Sequence, residues 1–230
     1  MSVDTQLRLQ ERQTTLTCAD EIRPLIKELL RAGRRDDALP LIHRAFVKIL
    51  KSDPGYKVFL ERVKFLDEQG IEWYLVGSRI YKYIHDIIYC DFWSKERSLD
   101  WDVLVINYYE RRQLPIEFPD ETRVMGAGPP RITDYSSREL KLPGLKIDFI
   151  TATDLGLYGS ADKKLGYAQA VPLSIQSILY SCAQDKLYDY FSISSIIDRK
   201  ISLNAGYSDS DAVSYFRNKL YKKSEFYKFR

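Results

Sequence analysis

Three aspartates are spaced as a metal-dependent reaction would need them. Asp100 and Asp102 flank Trp101 in the run Ser98-Leu99-Asp100-Trp101-Asp102-Val103-Leu104-Val105-Ile106, and Asp148 lies inside Leu145-Lys146-Ile147-Asp148-Phe149-Ile150. Both runs read as buried strands, rich in β-branched and aromatic residues. A strand sends every second side chain the same way, so Asp100 and Asp102 point together, roughly 6.6–6.8 Å apart along the chain. Two carboxylates aimed together from an apolar strand repel each other and lose hydration unless a cation sits between them. A divalent metal is the simplest such cation, and Mg²⁺ takes oxygen ligands from a few carboxylates, phosphates and waters. Two such ions about 3.5–4 Å apart can activate an attacking oxygen and neutralise a leaving pyrophosphate. The chemistry this pattern supports is transfer of a nucleotidyl group from an NTP to a hydroxyl.

That chemistry also needs a phosphate cradle. Leu75-Val76-Gly77-Ser78 closes an earlier apolar run, and Arg79 to about Ile88 reads as a helix. Gly77 would let phosphate oxygens approach the backbone closely. The Ser78 hydroxyl and the first N–H groups of the helix would then face the β- and γ-phosphates. In this scheme Asp100 and Asp102 bridge two Mg²⁺ (or Mn²⁺) ions. Asp148 completes the site of the attacking oxygen and helps position or deprotonate the acceptor hydroxyl. Arg79 and Arg97 suit phosphate contacts and ordinary surface charge equally well.

The ordered set of Gly77-Ser78, Asp100-Trp101-Asp102 and Ile147-Asp148-Phe149 resembles the nucleotidyltransferase superfamily with the DNA polymerase beta-like palm. The stretch Phe65 to Gly77 is similar to the helix-then-strand opening of its small bacterial members. Arg97-Ser98-Leu99-Asp100-Trp101-Asp102 resembles the Arg-x-Ser/Thr-x-Asp-x-Asp run of the AbiEii toxin-like subgroup. The resemblance covers residues 59–150. It implies NTP as substrate, two Mg²⁺ or Mn²⁺ ions, and an acceptor drawn from RNA or tRNA, protein side chains or small molecules. It also implies a toxin-antitoxin or phage-defence setting. The alternative is a palm that has kept its acids as an inactive scaffold or nucleotide-binding module. Two departures stand out. Ser78 and Asp100 are separated by 21 residues, longer than in minimal members. Where toxin-like relatives often place a lysine near the nucleotide, this chain has Ser181-Cys182, and Lys186 is the candidate substitute.

The elements that must carry these residues follow from periodicity. The fold that the resemblance implies is α/β (α+β): a nucleotidyltransferase palm with a short mixed sheet flanked by helices. Expected domains are an N-terminal helical segment (1–54), the core (55–155) and a C-terminal mainly helical region (156–230). Helices are predicted over 19–32, 36–51 and 55–69 and a strand over 71–76. A tight hairpin is predicted around Pro143-Gly144. Helices are again predicted over Leu173–Asp189 and Ser210–Lys222. Residues 107–135, broken by Pro115, Pro119, Pro129-Pro130 and Gly126-Ala127-Gly128, form a substrate-facing loop or a variable connection.

Composition narrows the rest. The chain has 230 residues, and 35 basic against 32 acidic residues leave a formal charge of +3, so any polyanion site must be local. Three cysteines without a CxxC pair read as reduced thiols, and two histidines without ligand spacing argue against zinc and against a Ser-His-Asp triad. Neither a leader-like segment nor an apolar run of roughly 18 residues is present, so the expected location is cytoplasmic, with no membrane contact. The tail Tyr215 to Arg230 interleaves aromatics with basic residues, suiting either an RNA contact or an amphipathic terminal helix. The N-terminal helices are the candidate surface for a protein partner.

Overall fold

The computed structural model describes residues 22–90, 100–109, 112–113, 115–125, 137–143, 145–151, 162–204 and 227–229. The chain divides into two units, Met1–Val63 with Lys82–Arg97, and Lys64–Tyr81 with Ser98–Arg230. No helix among the described residues is long and apolar enough to cross a membrane.

The first unit is helical. It holds α1 (Arg23–Arg31), α2 (Arg35–Ser52) and the adjoining parts of α3 (Pro54–Glu68) and α4 (Ser78–Tyr89). Gly33, at φ +71°, ends α1 in a Schellman motif: its own N–H bonds Leu30 O and the N–H of Arg34 bonds Leu29 O. Ala38, Ile42, Ala45, Phe46 and Ile49 give α2 one buried stripe at helical spacing. Arg23 is buried because it has work at a helix end. Its Nε donates to Ile87 O at 3.1 Å and its Nη2 to Asp86 O at 3.4 Å, satisfying carbonyls in the last turn of α4.

The second unit is built on a mixed seven-stranded sheet. Its strands are β1 (Glu72–Val76), β2 (Asp100–Ile106), β5 (Arg123–Met125), β6 (Ser137–Leu142), β7 (Leu145–Thr151), β8 (Ile178–Ser181) and β9 (Lys186–Asp189), in the order β5-β6-β7-β2-β1-β8-β9. β3 (Tyr108–Tyr109) and β4 (Arg112–Gln113) form a separate small ladder. β2 runs antiparallel to β1 and parallel to β7. Being central, it is covered on both faces. Trp101, Val103 and Val105 share one face with Ile147 and Phe149, all at most 1% exposed. The rings of Phe65 and Phe118 meet Phe149 there at 5.7 and 5.4 Å. On the other face Tyr74, Val76, Leu104, Ile106 and Leu179 pack under Tyr167 of α5 (Lys163–Ala170) and under Val171.

The 115–118 stretch is part of the first of these covers. Gln69 Nε2 donates to Glu117 O and Glu117 N donates to Gln69 Oε1, both at 2.9 Å, holding Phe118 against the sheet. This segment is a connection fixed by packing.

One expectation is overturned. Leu173–Asp189 is not a helix; it is a 3₁₀ turn (Ser174–Gln176) followed by the β8–β9 hairpin. Ile175, Ile178, Leu179 and Cys182 follow i, i+3, i+4, i+7 spacing and so imitate a helix. Ile178, Leu179 and Tyr180 are instead buried together as sheet interior, which removes the alternation that would betray a strand. Asp185 takes φ +48° to close the turn, a conformation Asp tolerates. β10 (Lys200–Ile201) follows α6 (Ser192–Asp198) and pairs parallel with β11 (Lys228–Phe229). At this end the tail is strand, and Tyr227 is 3% exposed, packed inward. Residues 19–21 of the helix expected over 19–32, and the whole helix expected over 210–222, lie outside the described residues.

Candidate active site

The ladders bring the three aspartates to one place. Asp102 pairs with Asp148 across the parallel β2–β7 ladder, and Asp100 pairs with Lys146. In the β6–β7 hairpin Glu139 stands opposite Asp148. Residues directly opposite share a face, so Asp100, Asp102, Asp148, Glu139 and Lys146 all project from the side of the sheet that carries Val76 and Leu104. The three aspartates are half-buried.

Gly77 touches this group in an unanticipated way. It has φ +81°, and a Cβ built on it would lie 2.0 Å from Asp102 Oδ2 and 2.7 Å from Asp102 Cγ. The missing side chain therefore makes room for the Asp102 carboxylate as it turns the chain from β1 into α4, whose first residue is Ser78. No other residue type fits both demands. Burial and the nearby Asp102 charge hold the Tyr81 phenol well above its ordinary value, so it stays neutral.

Sequence reasoning missed Lys146 and Glu139. The Lys146 ammonium lies 2.7 Å from Asp148 Oδ2, 3.2 Å from Glu139 Oε2 and 3.3 Å from Asp100 Oδ2. Burial alone would lower its pKa, but Asp148, Asp100 and Glu139 outweigh that and raise it. Asp148 is raised as well, by burial first; Lys146 opposes that rise, and the charges of Asp100 and Glu139 add to it. Both residues were accessible to counting. Lys146 is two residues before Asp148 on a strand, and a hairpin that pairs Leu142 with Leu145 pairs Glu139 with Asp148.

The donor set suits a divalent cation: four carboxylates, all hard oxygen ligands, from three adjacent strands. Among the described residues, no three His, Cys, Asp or Glu side chains already stand close enough to hold one ion. The carboxylates of Asp100, Asp148 and Glu139 gather on the Lys146 ammonium. Asp100, Asp102 and Asp148 are the residues that would hold a metal.

The other candidates are not brought to this point. The Arg79 guanidinium stacks 3.8 Å over the Trp101 ring, and Trp101 projects from the opposite face of β2. Arg97 lies outside the described residues. Lys186 opposes Ser181 on the outermost strand, with β1 and β8 between it and β2. It belongs to a second group. Its Nζ lies 4.9 Å from the Tyr188 ring, Lys164 Nζ lies 5.1 Å from the same ring, and Tyr74 meets Tyr188 edge-on at 5.8 Å. Counting along the ladders from Val76↔Asp102, Leu75↔Tyr180 and Leu179↔Tyr188 puts Tyr188 in the row of Asp102. The two are on one face, three strand spacings or about 14 Å apart.

A cleft of about 420 Å³ lined by Ser174, Phe191, Ser195, Asp198 and Asn204 competes for attention. Its polar groups serve the fold: Ser195 Oγ donates to Ser174 Oγ, and the Asn204 amide nitrogen lies within hydrogen-bond distance of Ala168 O, Val171 O and Ser177 Oγ.

No family model and no curated protein matches this chain. Among solved structures it is similar to a CCA-adding enzyme in complex with CTP, at 18% identity and a TM-score of 0.51, over 77% of this chain and 41% of that one. A looser likeness is to the Bacillus stearothermophilus CCA-adding enzyme in complex with CTP, at 14% identity and a TM-score of 0.43, over 74% and 37%. The chain thus spans about two fifths of the length of these proteins. The narrower likeness to the toxin-like subgroup stays an expectation of the sequence. At this identity the first match speaks to architecture alone: a mixed sheet flanked by helices, shared with that structure.

Proposed function

We propose that the protein transfers a nucleoside monophosphate from an NTP to a hydroxyl of an RNA acceptor, with divalent metal held by Asp100, Asp102 and Asp148. The observation that carries this reading is the carboxylate face of β2 and β7 set against the Gly77 turn at the start of α4. When bound, the metal supplies charge neutralisation at the triphosphate and a more nucleophilic acceptor oxygen. The chain's own groups do the rest. The N–H groups at the start of α4 and the Ser78 hydroxyl receive the β- and γ-phosphates. Asp148 orients the acceptor hydroxyl and accepts its proton as the oxygen bonds to the α-phosphorus. The bond from that phosphorus to the bridging oxygen breaks, and pyrophosphate leaves.

The preference for RNA rests on the second group. Tyr188 offers a ring on which a base can stack, and Lys164 and Lys186 beside it can neutralise phosphates. The span of about 14 Å to Asp102 suits a short single strand laid along the sheet with its 3′ end at the carboxylates. CTP is the first nucleotide to try, since the similar CCA-adding enzymes were captured with it. The test is transfer of label from each α-labelled NTP into tRNA, a short single-stranded RNA and a protein mixture. Mg²⁺-dependent labelling of RNA by the wild type and none by Asp102→Asn is the expected result. Absence of transfer with every NTP and metal would remove the proposal.

A further inference from the structure

We infer that Lys146 is a tethered counter-ion that holds the carboxylate face together in the metal-free protein and competes with divalent cations for it. The inference rests on the reading that these carboxylates take a metal. Carboxylates from three strands, Asp100 on β2, Asp148 on β7 and Glu139 on β6, converge on the Lys146 ammonium at 3.3, 2.7 and 3.2 Å. Like charges from adjacent strands repel, so this face needs a cation whether or not a metal is present. Lys146 supplies one from within the chain.

A metal and this ammonium compete for the same oxygens. Mg²⁺ binds oxygen at about 2.0–2.1 Å, so a cation on Asp148 Oδ2 would stand within a few ångströms of Lys146 Nζ and be repelled by it. The ammonium must therefore leave before the carboxylates can close on an ion. Lysine suits such a role. It is a point charge on a flexible stem, whereas the planar fork of arginine would clasp the carboxylates in pairs. The Lys146 side chain is 28% exposed, so its head has a route to water.

The alternative is a permanent ion-pair hub, and metal affinity separates the two. Mn²⁺ binding without nucleotide is measured by calorimetry on the whole chain, for wild type, Lys146→Met, Lys146→Gln and Lys146→Arg. Removing the competitor should tighten Mn²⁺ binding about tenfold or more in the Met and Gln variants, a change of about 1.4 kcal/mol per factor of ten. The same variants should melt lower than wild type without metal and gain more from adding it. Lys146→Arg should bind Mn²⁺ more weakly than wild type, and it stands in if neither neutral variant folds. Equal or weaker Mn²⁺ binding by the neutral variants, or an unchanged affinity in the arginine variant, overturns the inference and leaves the metal reading intact. If neither wild type nor any variant binds Mn²⁺, the inference and the metal reading fall together.

Discussion

The two faces of β2 differ in what their side chains are asked to do. On one, Trp101, Val103 and Val105 are at most 1% exposed and pack with Ile147 and Phe149 against an aromatic cover. On the other, Asp100 and Asp102 are half-buried among charges that include Lys146, Asp148 and Glu139. The apolar face fixes the register, because a slip of one residue would bury both aspartates and expose Trp101. The charged face can concentrate like charges only because that register is fixed. A strand held by its back can carry chemistry on its front.

Substitutions on the two faces should therefore separate stability from activity. The largest effect is expected from Asp102→Asn, which should lower nucleotidyl transfer at least about a thousandfold, or about 4 kcal/mol of barrier. Its melting temperature should change little, since the amide keeps the shape of the half-buried carboxylate. Trp101→Ala on the other face should reverse the pattern. It should cost about 3 kcal/mol or more in urea unfolding, with transfer per folded molecule changing far less than in Asp102→Asn. If both variants lost activity alike while folded, the separation would not hold.

Gly77→Ala joins the two faces. It adds a Cβ 2.0 Å from Asp102 Oδ2 at φ +81°, so about 2 kcal/mol of stability should be lost through strain and the displaced carboxylate. Transfer should fall with it, measured alongside unfolding. Alkaline pH probes the fold beneath the site. Tyr81 is 3% exposed, and burial with the Asp102 charge raises its pKa. The folded state then keeps a proton that the unfolded chain loses above about pH 10. Stability is full below that value and should fall by up to about 1.4 kcal/mol for each pH unit above it. Unfolding midpoints across that range, with Tyr81→Phe as the flatter control, check the sign. Smallest of all should be Tyr188→Ala. It should cost about 1 kcal/mol of stacking, a several-fold rise in KM for an RNA acceptor with kcat unchanged.

Much of this was legible in the sequence, and the exceptions have physical causes. The Asp-x-Asp spacing, the Gly77-Ser78 turn and the β6–β7 pairing are local signals with fixed periods, and each element appears where those periods put it. The parallel pairing that sets Asp102 beside Asp148 is not local: the chemistry asks for the two acids together, but no short-range signal gives their register. Lys146 and Glu139 are within reach of counting, but a lysine and a glutamate on a strand pass for surface charges. The β8–β9 hairpin was hidden because Ile175, Ile178 and Leu179 satisfy helical and strand patterns alike. Lys186 changes place with it, standing on the outermost strand β9 and not on a helix.

The central claim is that the Asp100, Asp102 and Asp148 carboxylates hold divalent metal beside a triphosphate at the Gly77-Ser78 turn. Crystals soaked with Mn²⁺ and a non-hydrolysable NTP test it most directly through the anomalous signal of the metal. The account predicts Mn²⁺ density against these three carboxylates, with the phosphates at the start of α4 and Lys146 drawn away. Nucleotide bound elsewhere, or Lys146 still seated among the carboxylates with no Mn²⁺ beside them, would contradict it.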